Sequence, residues 1–161
     1  AGDFYHVINR GAQRARIFFN ANDYRAFVEV LAEAVERYEL PLLAYCVMPN
    51  HWHLVVRPES VQMLSASVQW LTGTHAVRWC RAHQRDGCGP VYQGRFKSIP
   101  VQANVSLARV CRYVERNAQA KQMVARAEDW PWSSAHQRCR NGARPALTPM
   151  ETMNSRSSPR T

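Results

Sequence analysis

LLAYCVMPNHWHLVVR, residues 42–57, decides the architecture. The first seven residues are apolar throughout, as in a strand buried on both faces, and Pro49-Asn50 is a turn signal. From Asn50 to Arg57 the run resumes as a second strand, so the two form a hairpin. In the second strand successive side chains alternate between faces. His51 and His53 therefore share one face, and Trp52, Leu54 and Val56 share the other, which is a good core face.

The flanks extend this pattern. FYHVIN (4–9) reads as a short strand, and RGAQRAR (10–16) as a mobile-looking basic loop with a glycine. Asn22 or Asp23 is the expected cap of a helix running to about Tyr38, with Phe27, Val30, Leu31, Ala34 and Val35 at helical spacing. Beyond the hairpin a helix is expected over 61–83, a loop at 87–90 and a strand over 92–101. A last long helix is expected over 104–119. WPWSS (130–134) opens a short final segment, and 141–161, rich in Ser, Pro and Thr, reads as a weakly structured tail. The order β-α-β-β-α-β-α predicts an α+β fold, an antiparallel sheet with helices packed on it, over residues 1–140.

With 161 residues the chain has the length of one domain, and 46% hydrophobic residues make it an ordinary globular one. No apolar run approaches the roughly 18 residues that span a membrane. The five cysteines are odd in number, widely spaced and without a CxxC, which argues against a disulfide framework or a cysteine zinc site. A reducing cytosol is the expected compartment.

Charge is the stronger compositional signal. The net +9 lies in one half: residues 1–80 hold 7 basic and 7 acidic residues, residues 81–161 hold 14 and 5. Nineteen of the 21 basic residues are arginine, whose planar fork suits phosphates and bases. A GC-rich genome raises arginine over lysine but does not thin acidic residues from one half. A polyanionic partner follows, nucleic acid rather than a membrane, since no basic amphipathic anchor stands out.

Two imidazoles about 7 Å apart on one strand face can converge on a metal ion, although HxH alone is also what two half-exposed strand histidines look like. The helix over 104–119 adds to them. At 100° per residue from Arg109, the side chains of Leu107, Val110, Cys111, Val114 and Ala118 gather between about 100° and 200°, a core stripe. Arg109, Arg112 and Arg116 form a cationic stripe. Tyr113 and Asn117, one turn apart at about 40° and 80°, lie on the seam. Phosphodiester transfer needs a nucleophile, a charge neutraliser and an orienter. Tyr113 can supply the first, a divalent cation on His51 and His53 the second, and the Asn117 side-chain oxygen a third ligand. Mixed N/O ligation with open positions admits Mn²⁺ comfortably and Mg²⁺ less ideally. Glu115 lies about 200° from Tyr113 and is not the alternative ligand.

MPNHWHLVVRP (48–58), GPVYQGRFKSIPV (89–101), RYVERN (112–117) and WPWSS (130–134), in this order, resemble the REP-associated tyrosine transposases, a bacterial branch of the single-tyrosine HUH transposases. The resemblance covers about residues 4–140. It implies a ferredoxin- or RRM-like HUH fold and a metal-dependent single-stranded DNA endonuclease and strand transferase. Its tyrosine attacks a DNA phosphate, leaving a 5′-phosphotyrosine link and a free 3′-OH. The implied substrates are palindromic repeats folded into hairpins. On this resemblance His51 and His53 are the metal pair, Tyr113 the nucleophile and Asn117 the position that completes the metal site, where insertion-sequence relatives carry Gln. Many members of the branch have a His two residues after the tyrosine, where this chain has Glu115.

Arg10, Arg14, Arg16, Arg95, Phe96, Lys97, Arg109, Arg112 and Arg116 are the candidate DNA contacts, the last helix tracking phosphates. Trp130 and Trp132 read as packing residues. Relatives exchange their tyrosine helices between protomers; here the WPWSS segment is expected to hold the helix in cis, giving a monomer, with a domain-swapped dimer as the alternative. Two other functions fit parts of the pattern: a non-catalytic nucleic-acid-binding protein on the same scaffold, and a His-metal hydrolase of small phosphates, which leaves the localised charge without a purpose.

Overall fold

In the computed structural model the expected hairpin forms: β-strands Leu42–Met48 and His51–Val56 pair antiparallel, with Met48 opposite His51 and Tyr45 opposite Leu54. The structure describes residues 3–85, 87, 89–102 and 105–150. In chain order its elements are β1 (Tyr5–Arg10), α1 (Ala21–Tyr38), β2 (Leu42–Met48), β3 (His51–Val56), α2 (Val61–His83), β4 (Lys97–Pro100), α3 (Leu107–Glu115), α4 (Asn117–Ala120) and α5 (Ser134–Cys139), with short 3₁₀ turns at Ala12–Arg14 and Ala127–Asp129. The four strands make one antiparallel sheet in the order β2-β3-β1-β4.

Each sheet face buries its own apolar set. Val7, Trp52, Leu54 and Val56 face α1 and α2, where Phe27, Val30, Leu31 and Leu71 complete the larger core. On the opposite face Leu43, Ala44, Cys46, Met48 and Val55 receive Cys111, Val114 and Ala118, the stripe read from the sequence. Leu43 and Ala44 fall on the same side because β2 carries a register shift there, two residues opposing one of β3. Both thiols of this smaller core, Cys46 and Cys111, are raised by burial, to about 12 and about 11. They are inert packing groups at neutral pH.

Four local expectations shift. The cap of α1 is Asn20, not Asn22 or Asp23: Asn20 Oδ1 accepts from Asp23 N at 3.0 Å, while Asp23 Oδ2 accepts from the N–H of Phe19, just before the cap, at 2.8 Å. The strand expected over 92–101 shortens to Lys97–Pro100. Tyr92 bridges Gly11 and Lys97 pairs with Ile8, so four residues (93–96) oppose two (9 and 10) and leave the ladder as a bulge. The long helix is broken at Arg116 (φ −88°, ψ 1°), because the Asn117 amide donates to the Tyr113 and Val114 carbonyls at 3.3 and 3.0 Å and competes with the helix for them. Its expected start, Asn104, lies outside the described residues.

The fourth concerns the C-terminal segment, which closes the free edge of β2. Trp130 Nε1 donates to the Val47 carbonyl at 2.9 Å, Val47 N donates to the Trp132 carbonyl at 2.8 Å, and Ser134 Oγ accepts from Tyr45 N at 2.9 Å. Trp132 stacks on Tyr24, with centroids 5.3 Å apart. Both tryptophans are packing groups. The ordered chain also continues past the expected boundary at 140. Leu147 bridges Leu42, and Thr148 N donates to the Leu42 carbonyl at 2.7 Å. An edge strand left bare is a pairing hazard, and this segment covers it. Residues 151–161 of the expected tail lie outside the described residues.

Candidate active site

The alternation of β3 delivers both histidines to the face beneath α3. Their ring centroids stand 4.8 Å apart, nearer than the strand rise alone gives because the imidazoles lean together. His51 is 7% exposed and His53 4%. Each has one ring nitrogen occupied. Asn50 Nδ2 donates to the Arg14 carbonyl, which turns its Oδ1 toward His51 Nδ1 at 2.6 Å. An amide oxygen only accepts, so the His51 proton sits on Nδ1 and Nε2 carries a lone pair. His53 Nδ1 lies 2.9 Å from His6 Nε2, and His53 Nε2 is buried with no hydrogen-bond partner among the described residues.

Burial pushes the His53 imidazolium down to about 3, helped by the charges of His51, His6 and Arg10. Burial first, then Arg10 and Lys121, pushes His51 down to about 4. Both rings are neutral at pH 7, the state a metal ligand requires.

α3 places the phenol. Its buried Cys111 and Val114 fix the rotation of the helix, which turns Tyr113 outward at 64% exposure. The Tyr113 ring meets His6 edge to face, with centroids 6.2 Å apart. Tyr113 lies in an open groove of about 820 Å³ with Ser106, Arg109, Arg112, Arg116, Asn117, Ala120 and Lys121. The three arginines of the predicted stripe thus surround the tyrosine, and Lys121 adds a fourth cation. Glu115 points away, paired with Arg138 of α5.

His51 Nε2 and His53 Nε2 are the donors that could hold a divalent cation. Among the described residues no three His, Cys, Asp or Glu side chains converge on one point. The chain therefore offers two imidazole nitrogens, one of them a buried orphan that a cation would satisfy, and leaves the other positions open. Asn117 lines the Tyr113 groove with its amide nitrogen committed to helix carbonyls and no hydrogen bond to its side-chain oxygen among the described residues.

The other candidate DNA contacts divide by environment. Arg10 lies close enough to both histidines to depress their protonation. The basic loop is anchored at its base: Gly11 N donates to the Asn50 carbonyl at 2.9 Å and Ile17 N to the Pro49 carbonyl at 2.8 Å. A Cβ at Gly11 would stand 2.3 Å from the Ala15 carbonyl oxygen, so only glycine admits this return of the loop. Arg14 is exposed, and Arg16 is tied to the Phe18 carbonyl at 2.6 Å and lies over the Phe19 ring. Arg95 on the bulge and Lys97 at the start of β4 are exposed and share a cavity of about 210 Å³ with Arg10. Phe96 is partly buried against the α1/α2 core, so its ring packs inward rather than standing free for a base.

Two residues of this site escaped the sequence reading. Lys121 lies just past the end of the expected helix. His6 is a single histidine in a six-residue strand; the available signal was the alternation of FYHVIN, which puts His6 opposite in facing to Val7.

A histidine pair on a central strand thus lies under a helix that carries an exposed tyrosine among arginines. Residues 4–117 match the family described as IS200-like transposases, and the chain belongs to that family. More particularly, it is similar to the REP-associated tyrosine transposases. It is 23% identical over 142 residues to a Haemophilus influenzae (strain Rd) protein provisionally so named, covering 83% of this chain and 78% of that one. The solved structure of a REP-associated tyrosine transposase bound to a REP hairpin superposes with a TM-score of 0.67 at 17% identity, over 92% of this chain and 82% of that one. A Deinococcus radiodurans R1 protein, provisionally a transposase, gives a TM-score of 0.53 at 22% identity, over 72% and 91%. At these identities the structural likeness is one of fold, and it bears out the antiparallel sheet with packed helices. No helix among the described residues is long and apolar enough to cross a membrane.

Proposed function

We propose that this transposase is a metal-dependent, site-specific single-stranded DNA endonuclease and strand transferase. It acts on hairpins of palindromic repeats through a 5′-phosphotyrosine intermediate. The observation that carries the reading is the chain of rings Tyr113–His6–His53, which links an exposed phenol to a neutral imidazole nitrogen without a partner among the described residues.

His51 and His53 would hold a Mg²⁺ or Mn²⁺ ion through their Nε2 atoms, with the Asn117 oxygen as a third donor. Bound there, such an ion would polarise the scissile phosphate and offset the charge that develops on it. Arg109, Arg112, Arg116 and Lys121 hold the flanking phosphates and so fix the strand's position without reading its sequence. Tyr113 Oη attacks phosphorus; the Oη–P bond forms as the P–O3′ bond breaks. The phenol loses its proton, and the departing 3′ oxygen gains one. Attack of a 3′-OH on the phosphotyrosine reverses the step and rejoins DNA. Because one phosphodiester is exchanged for another, no nucleotide hydrolysis is needed. The arginine-rich half suits a bacterial cytoplasmic protein that joins the nucleoid when bound to DNA, and the cis packing of α3 suits a monomer.

The test is incubation with labelled single-stranded hairpins from the repeats flanking the gene, with Mn²⁺. A covalent protein–DNA adduct is expected, lost in Tyr113→Phe while hairpin affinity stays within about twofold. An adduct that persists in Tyr113→Phe refutes the nucleophile. Hairpin binding with no adduct in the wild type leaves a non-catalytic DNA-binding protein.

A further inference from the structure

His6 stands two residues along β1 from Ile8, the residue that faces His53 across the ladder. Diagonal neighbours on one sheet face come within reach of long or aromatic side chains. Here the rings of His6 and His53 lie edge to edge with centroids 5.1 Å apart, and Nε2 of the first lies 2.9 Å from Nδ1 of the second. The His6 ring also meets the Tyr113 ring, with centroids 6.2 Å apart.

We propose that His6 is a positioning residue for the metal pair: its Nε2 accepts a hydrogen bond from His53 Nδ1–H, which locks His53 in the tautomer that leaves the Nε2 lone pair free for an ion, and its ring braces the Tyr113 ring beside it. The inference rests on the reading of His51 and His53 as metal ligands. The hydrogen bond could run in either direction. Were His6 the donor, the His53 proton would sit on Nε2, a buried atom with no acceptor among the described residues, which is unfavourable. With His53 as donor, the buried orphan is a lone pair, which a cation satisfies. His51 follows the same scheme, with Asn50 Oδ1 in the accepting role. Both ligands are thus oriented from behind, one by the turn and one by β1, as ligating histidines generally are. The packing against Tyr113 gives the same ring a hold on the nucleophile, so β1 registers the two halves of the site against each other.

The experiment uses the full chain, metal-free, with Mn²⁺ as the probe. Long-range ¹H–¹⁵N NMR of the histidine rings in the wild type should show the His53 proton on Nδ1. Mn²⁺ binding, followed by electron paramagnetic resonance or calorimetry, should weaken about 10- to 100-fold in His6→Phe, which keeps a ring and removes the acceptor. His6→Gln, whose Oε1 stands where Nε2 stood, should recover most of that loss. A proton on His53 Nε2 overturns the proposal. So does a His6→Phe variant that binds Mn²⁺ as the wild type does, or a Gln variant no better than Phe. Should His6→Phe fail to fold, the wild-type spectrum and the Gln variant still decide. Wild-type Mn²⁺ binding that depends on His6 but yields no Tyr113 adduct would sink the nuclease reading alone; a wild type that binds no Mn²⁺ overturns both.

Discussion

The Glu115 carboxylate on α3 pairs with the Arg138 guanidinium on α5, and the same guanidinium donates to the Leu43 carbonyl on β2. One side chain thereby ties the tyrosine helix to the sheet through the segment that covers the β2 edge. The carboxylate side chain is 12% exposed and the guanidinium 40%, so the pair is only partly screened. Arg138→Ala should cost about 1 kcal/mol of stability. It should slow cleavage more than that suggests, by about tenfold, because a nucleophile displaced by a fraction of an ångström loses alignment. Single-turnover cleavage compared with the urea midpoint checks the split. Unchanged cleavage would mean that the apolar stripe of α3 holds Tyr113 unaided.

Four cations surround Tyr113, and none of them reads sequence in the proposed mechanism. Replacing Arg112 and Arg116 with Gln should weaken hairpin binding about equally for cognate and scrambled stems. It should also make the slope of log affinity against log salt shallower by about 2, one for each phosphate that is no longer neutralised. A titration at several salt concentrations measures this. A change of sequence preference with an unchanged slope would instead mark them as base readers.

His51→Ala leaves the Asn50 amide without its imidazole and the ion with one fewer nitrogen ligand. Mn²⁺ affinity should drop at least about 100-fold, and metal-dependent adduct formation should fall with it. Hairpin binding without metal should persist, since the basic groove is untouched. Calorimetry with Mn²⁺ and gel-shift assays separate the two readouts.

The parts of this protein legible in its sequence are those governed by a period. Alternation assigned Trp52 to the core face, and the 100° step assigned Cys111, Val114 and Ala118 to a core stripe; the structure agrees on each, while Tyr113, read at the margin of that stripe, stands 64% exposed. What periods do not carry is register and competition. The alternation of FYHVIN gives the facing of His6, but His6 joins the site only because β1 pairs with β3 so that Ile8 faces His53, a tertiary fact. The break at Arg116 comes from one amide outbidding the helix for two carbonyls, and the bulge at 93–96 from two ladders that reach β1 with unequal chain. The wrap of Leu147 and Thr148 onto Leu42 is likewise unreadable from a Ser- and Pro-rich composition.

The core beneath the site carries its own pH dependence. Trp52 Nε1 donates to Tyr92 Oη at 2.9 Å, and Tyr92 Oη lies 2.6 Å from His75 Nδ1, a buried chain joining β3, the 92 bridge and α2. Burial lowers His75 to about 4 from 6.5, against a smaller opposing pull from Asp23. The unfolded chain takes up a proton below about pH 6.5, whereas the folded one holds this ring neutral until about 4. Stability is therefore full above 6.5 and declines as the pH falls toward 4, by up to about 3 kcal/mol for this one group. His51 and His53 shift in the same direction and add to the slope in the metal-free protein. Urea midpoints measured from about pH 8 to 4 should fall along this course. His75→Gln, less stable at neutral pH, should show a shallower fall. Tyr92→Phe, which strands the indole N–H and His75 Nδ1 at about 1–3 kcal/mol each, should lower the midpoint at every pH while leaving Mn²⁺ affinity near the wild-type value. A wild-type midpoint that is flat over that range would mean the buried ring is not held neutral, and the chain from Trp52 to His75 would lose its place in the energetics of the fold.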